Sequence, residues 1–294
     1  YINEFNNTTN PGGLNLDPEQ PLGAVGVMPT DGYTAIIEGT FSAIWSPNQT
    51  LPFSFDFNGN AVTDYKVSST GVLTFTTSAT TVPDFINASL PVSQIPDNSI
   101  MIWGLQANAG NDRVLIKTHG DAPNRQLWVT FSSYSAQALP PNQGNHFAYW
   151  SIVLEETTNK IYLVDQRSFQ INQALTLGLQ FDANTAVEVT GSPNILSKAT
   201  SADDPNDNTI YEFIQGTRPV NDASVRSINV PTIIEAGNSV SISGVIGNFG
   251  SATLNSVDVN WSTDFGATVN TQSLSNLNLA TNTTANFNHS VSWN

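Results

Sequence analysis

From Tyr33 onward apolar residues recur with a period of two, the spacing that places alternate side chains on one face of a strand. The clearest instance is Phe53-Ser54-Phe55-Asp56-Phe57, where every second residue is aromatic. A hairpin follows: Tyr65-Lys66-Val67-Ser68 and Val72-Leu73-Thr74-Phe75 flank Ser69-Thr70-Gly71, whose glycine supplies the positive φ of a tight connection. The same pattern predicts strands over residues 100–103, 114–118, 126–132, 148–155, 161–165 and 175–181, with a second hairpin turn over 156–160. No amphipathic stretch is long enough for a useful helix; residues 170–175 are too few.

These segments divide the chain. Residues 1–32 carry Asn6-Asn7-Thr8-Thr9-Asn10-Pro11-Gly12-Gly13 without usable periodicity and read as an extended leader lying along the first domain. Residues 33–216 read as one large jelly-roll-like sandwich closed by a strand over 209–214, and Gly216-Thr217-Arg218-Pro219 marks its boundary. Residues 217–294 read as a smaller immunoglobulin-like sandwich, with strands over 239–244, 256–261 and 285–293 and a turn at Gly247-Asn248-Phe249-Gly250. Such a sandwich takes about seven strands over about 100 residues, so the second domain reads as truncated at its C-terminal end. Its last strand would come from further along the same chain, the reading preferred, or from a neighbour, with the leader as candidate donor. The fold class is all-β, two tandem β-sandwich domains without an internal repeat.

Composition narrows the function classes. The chain has nine Lys+Arg against 24 Asp+Glu and a formal charge of -15, yet only 11% of its residues are charged. Asn, Thr and Ser solvate the surface instead, as suits a soluble folded chain more than a disordered acidic one. The few basic residues are scattered, which argues against nucleic acid and anionic membranes as partners. There is no cysteine, so no disulfide, thiolate metal site or cysteine nucleophile. No apolar run approaches the roughly 18 residues of a transmembrane segment, and Tyr1 reads as a mature, already processed start.

Few constellations suggest chemistry. His119, His146 and His289 stand alone, none at metal-ligand spacing, and no Gly-x-Ser-x-Gly elbow appears. Glu155 and Glu156 are adjacent on a strand and point to opposite faces, while Asp112, Asp165 and Glu188 are distant carboxylates from which a glycosidase pair would have to be assembled. The loop Ser201-Ala202-Asp203-Asp204-Pro205-Asn206-Asp207-Asn208 is the best calcium candidate through Asp203, Asp204 and Asp207; the rival reading is a solvated loop. Asp56-Phe57-Asn58-Gly59-Asn60 is a weaker version of it, more simply a turn. Among the tryptophans, Trp45 and Trp128 are candidate carbohydrate platforms, because flat indoles stack on sugar faces. Trp128 lies on the face opposite Leu127, Val129 and Phe131, so it either covers a second layer or is exposed; Trp103, Trp150 and Trp261 read as core.

Three segments carry a resemblance: Leu51-Pro52-Phe53-Ser54-Phe55-Asp56-Phe57-Asn58-Gly59, Val67-Ser68-Ser69-Thr70-Gly71-Val72-Leu73-Thr74-Phe75 and Gly120-Asp121-Ala122-Pro123-Asn124-Arg125-Gln126-Leu127-Trp128-Val129. The first domain resembles the jelly-roll-like N-terminal module of secreted Bacteroidota proteins of the type IX export kind. The second, through Ser227-Ile228-Asn229-Val230-Pro231, residues 242–250 and Val257-Asp258-Val259-Asn260-Trp261, resembles their adhesion-type, CARDB-like immunoglobulin modules. The resemblance implies a secreted or cell-surface protein. It carries over no catalytic residues and no redox activity.

The expected function is that of a non-enzymatic structural or adhesive protein, a candidate subunit of an extracellular assembly whose sheet edges pair with itself or with other surface proteins. The alternative is a carbohydrate-binding accessory module of a polysaccharide-degrading enzyme, with glycans as partners. No cofactor is expected beyond calcium at the acidic loop.

Overall fold

The structure is a computed structural model that describes the chain except for residues 20–31, 40–41, 108–111, 137–146, 170–173, 232, 234–236, 265 and 294, and except for the side chains of 135 and 136. His146 and the end of the leader lie outside the described residues. The chain is all-β and divides into two compact units, Ile2–Gln215 and Gly216–Asn294, the latter together with Tyr1.

The first unit is a sandwich of two antiparallel sheets. One contains β1 (Ile2–Thr8), β2 (Thr34–Glu38), β7 (Leu105–Gln106), β8 (Arg113–His119), β9 (Gln126–Ala136), β10 (Phe147–Glu155), β11 (Ile161–Phe169) and β14 (Asn208–Phe213), in the order β1-β14-β11-β10-β9-β8-β2 with β7 pairing β9. The other contains β3 (Gln49–Phe57), β4 (Asn60–Val67), β5 (Val72–Thr74), β6 (Ser99–Trp103), β12 (Thr176–Asp182) and β13 (Thr185–Glu188), in the order β13-β12-β6-β5-β4-β3. Their facing sides share one core. Phe53, Phe55 and Phe57 of β3 and Ile100 and Ile102 of β6 pack in the same cluster as Val129 and Phe131 of β9 and Trp150, Ile152 and Leu154 of β10. Period-two alternation explains that face and no more.

Both sheets are covered on their outer faces as well. On the eight-stranded sheet Trp128, Val153, Tyr162, Val164 and Ile210 form a second cluster with Phe5 of β1 packed against it. On the other sheet Val72, Met101 and Trp103 pack with Ile95, and Trp45, Ala88, Leu90 and Val92 lie over them. Polar side chains buried beside the outer cluster of Trp128 pair with one another: Thr130 and Ser151 hydroxyls bond at 2.8 Å, and the Ser151 hydroxyl donates to Gln166 Oε1 at 2.6 Å.

The β4–β5 hairpin is fixed by contact as well as by conformation. Gly71 has φ +93°, its carbonyl accepts from the Ile102 amide at 2.8 Å, and a Cβ there would sit 1.9 Å from the Ile102 carbonyl oxygen. Only glycine fits both conditions.

The start of the leader is a strand. Residues of β1 pair antiparallel with β14, Ile2 opposite Phe213 and Phe5 opposite Ile210, so the segment named as candidate donor already belongs to a sheet of its own chain. After β1 the chain crosses the outer face of that sheet: Leu14 packs at Gly120, and Asp17 pairs with Lys117 of β8. Composition hid the strand because Asn and Thr fill it, and main-chain hydrogen bonds hold it in place of an apolar stripe.

The second unit contains β15 (Ala223–Asn229), β16 (Ser243–Asn248) and β19 (Thr284–Asn288) in one sheet, and β17 (Leu254–Trp261) paired with β18 (Asn270–Leu279) in another. Ile246, Val259 and Phe287 join the two sheets, with Val257, Leu274, Leu277 and Ala285 against them. The strand expected over 239–244 lies later, over Ser243–Asn248, leaving Val240 in an isolated bridge to Trp293. The turn expected at residues 247–250 correspondingly begins after Asn248.

Candidate functional site

Most candidate groups are consumed by structural bonds. Glu156 receives a paired hydrogen bond from Arg125, Nε to Oε2 at 2.9 Å and Nη2 to Oε1 at 2.7 Å, and that guanidinium holds the carboxyl below the usual carboxylate range. Glu155 instead accepts from Gln126 at 2.8 Å, Thr158 at 2.7 Å and Tyr162 at 3.2 Å. The two neighbours therefore serve separate partners. Asp165 of β11 and Glu188 of β13 belong to different sheets. Asp165 is fully buried and accepts from the Ser197 hydroxyl and the amides of Lys198 and Ala199, and burial pushes it up to about 6. Glu188 accepts from the Leu90 amide at 2.9 Å. Each pins a loop to a strand, and no glycosidase pair forms between them.

The described histidines are also embedded. His119 is buried, edge-on to Trp128 at 6.0 Å between ring centroids, with Nε2 at 3.9 Å from Asp17. Burial lowers its pKa below the ordinary histidine value, so it is neutral at pH 7. His289 accepts at Nδ1 from Trp261 Nε1 at 3.2 Å and from the Val291 amide at 3.1 Å, while Nε2 faces the Val259 carbonyl at 3.2 Å. The Val259 carbonyl places a ring proton on Nε2.

Burial corrects the sugar platform at Trp128. Its indole has no exposed surface and its Nε1 donates to Gln126 Oε1 at 3.1 Å, because the eight-stranded sheet carries a second apolar layer on that face. Trp45 is half-buried, bonded through Nε1 to the Thr81 carbonyl at 3.1 Å, with Lys66 Nζ 4.8 Å from its ring centroid. That ammonium occupies one face of the ring. Trp103 and Trp150 are fully buried.

The acidic loop leads to a corner where charged oxygens collect. Asp204 Oδ1 is taken by Asn206, through its amide at 3.0 Å and its Nδ2 at 2.9 Å, as in an exposed turn. Asp203 Oδ1 accepts from the Glu19 amide at 3.1 Å. Asp207 Oδ2 accepts from the amide of Thr200 at 3.0 Å and from its hydroxyl at 2.5 Å. The loop thus closes over a residue that the sequence reading did not select. Glu19 is 1% exposed, the Asp204 amide donates to it, and burial together with the charges of Asp207 and Asp203 pushes its carboxyl up to about 8. Nothing in Asp17-Pro18-Glu19 marks it out, since its burial comes from residues almost two hundred positions away. Among the described residues no group of three His, Asp or Glu side chains is placed to hold a metal ion, so Asp203, Asp204 and Asp207 do not form a three-carboxylate site.

Searches of curated proteins and of solved structures return no match to this chain. A family model does match, over residues 28–215, the greater part of the first sandwich and more than half of the chain. By that match the chain belongs to the NIDO-related family.

Proposed function

We propose that the chain is a non-enzymatic, secreted or cell-surface protein with a structural or adhesive role. The observation that carries this reading is the NIDO-related match across the first sandwich, a domain type typical of extracellular proteins. Two further features support it. The interior of the sandwich is filled by aromatic and branched side chains, and the carboxylates of Asp165, Glu188 and Glu156 are engaged in holding loops to strands. The surface is dominated by neutral polar residues with a formal charge of -15 at only 11% charged residues, which suits a presenting surface outside the cell.

Antibody raised against the chain should label intact cells, and protease added outside should remove the signal. Labelling confined to permeabilised cells would sink the extracellular reading. The adhesive role predicts that surfaces coated with the purified chain retain cells, and that soluble chain competes. Self-pairing through sheet edges, the finer form of the proposal, predicts a mass in size-exclusion light scattering that rises with concentration. Export by the type IX route belongs to the same proposal and predicts intracellular accumulation when that machinery is deleted.

A further inference from the structure

The corner around Glu19 contains more oxygens than hydrogens to join them. Asn208 is fully buried, and its carboxamide lies between Asn10 Oδ1 at 2.9 Å on one side and, on the other, Glu19 Oε1 at 2.9 Å and the Gln166 carbonyl oxygen at 3.2 Å. A carboxamide has one NH2 end and one oxygen end, so either orientation of Asn208 sets an oxygen against an oxygen. Turning Asn10 as well gives no relief, because its Nδ2 donates to the Asn15 carbonyl at 3.0 Å and the turn would create a new oxygen pair there. Two carboxylate oxygens in the same corner, Glu19 Oε2 and Asp207 Oδ1, are buried without a hydrogen-bond partner. Buried carboxylate charge of this kind is unfavourable unless a cation or a proton neutralises it.

We infer that this corner binds a calcium ion through the carboxylates of Glu19 and Asp207 and the side-chain oxygen of Asn208. The ion supplies the missing positive charge and accepts oxygens only, which is what the corner offers. It also settles the orientation of Asn208: the amide stays on Asn10 and the oxygen turns toward Glu19. Calcium takes a mixture of carboxylate and neutral oxygens in a flexible shell, whereas zinc prefers nitrogen and sulfur and magnesium a rigid octahedron. The exposed acidic loop is not the site by itself. It contributes Asp207, while Asp203 positions Glu19 through the bond to its amide.

The test uses the full chain stripped with EDTA, followed by calorimetric melting and isothermal titration with CaCl2 and with MgCl2. Calcium at a hundredfold excess over its Kd should raise the melting of the first unit by about 5–10 °C, with magnesium giving a much smaller rise. Glu19→Gln should weaken calcium binding at least a hundredfold, and Asp207→Asn is the second variant should the first not fold. Asp204→Asn should leave binding unchanged. Equal melting temperatures in EDTA and calcium would overturn the inference and leave the oxygens joined by a proton on Glu19. Undiminished calcium binding by Glu19→Gln would overturn it too, assigning the ion to the exposed loop.

Discussion

The central strands of the first unit are hidden on both faces, whereas most strands of the second are hidden on one at most. In the first, Trp128 and Val129 are successive residues on opposite faces of β9, and neither has exposed surface. In the second, every residue of β15 is exposed, and the core reduces to Ile246, Val259 and Phe287 with their partly buried neighbours. The difference follows from length as much as from sequence. A unit of some two hundred residues has connections to spare for covering the outer faces of its sheets, whereas a smaller one buries a lower fraction of its surface. A doubly covered sheet can also enclose polar and charged groups, and Glu19, Asp165 and Asn208 lie in the unit that has the cover.

The comparison is broken most severely at Gly71. Gly71→Ala forces a Cβ into the Ile102 carbonyl at a positive φ, and should cost more than about 4 kcal/mol. Urea unfolding would show the first transition lost or moved to low denaturant while the second unit still melts at its usual position. Trp128→Ala empties the outer layer and should cost about 4 kcal/mol, far more than a sugar platform on the surface would. An effect under about 1 kcal/mol would mean that the outer layer is not packed.

The units should respond to pH with opposite sign. Glu19, raised to about 8, and Asp165, raised to about 6, both bind a proton more tightly folded than unfolded. Their contribution is complete below the unfolded values and is lost as pH rises through about 6 and then about 8. In EDTA the first unit should therefore gain stability as pH falls from 9 toward 5, and the share from Asp165, between about 1 and 2 kcal/mol at pH 5, should reach about 3 kcal/mol only below its unfolded value. Asp264 of the second unit is lowered to about 2 by its bonds from Ser262 and Thr268, so its contribution is present above the unfolded value and lost as pH falls toward 2. Calorimetry across this range, resolving the two transitions, would show whether they diverge. The smallest effect belongs to β15, where Ile228→Thr on a 60% exposed side chain should change stability by less than about 0.5 kcal/mol.

The sequence was most legible where strand periodicity and burial agree. Phe53, Phe55 and Phe57 declare a core face, and residues 69–71 declare a turn, because both signals are local. The strand β18 escaped the reading: Asn276 and Asn278 have φ of +58° and +47°, which breaks the alternation of Leu274, Leu277 and Leu279. Trp128 was half legible, since alternation gave its face and left open whether anything covered it. Glu19 was not legible at all.

Composition and period-two patterning thus determined by themselves an all-β chain, its principal strands and a surface solvated by neutral polar residues, since each depends on neighbours within a few positions. Tertiary structure alone decided that the start of the leader is a strand beside β14, that Trp128 is sealed in a second layer, and that Glu19 meets Asp207 and Asn208. The first and last come from pairings between residues about two hundred positions apart and the second from strands brought alongside β9, and a strand's own sequence specifies which face is apolar without specifying what will lie against it.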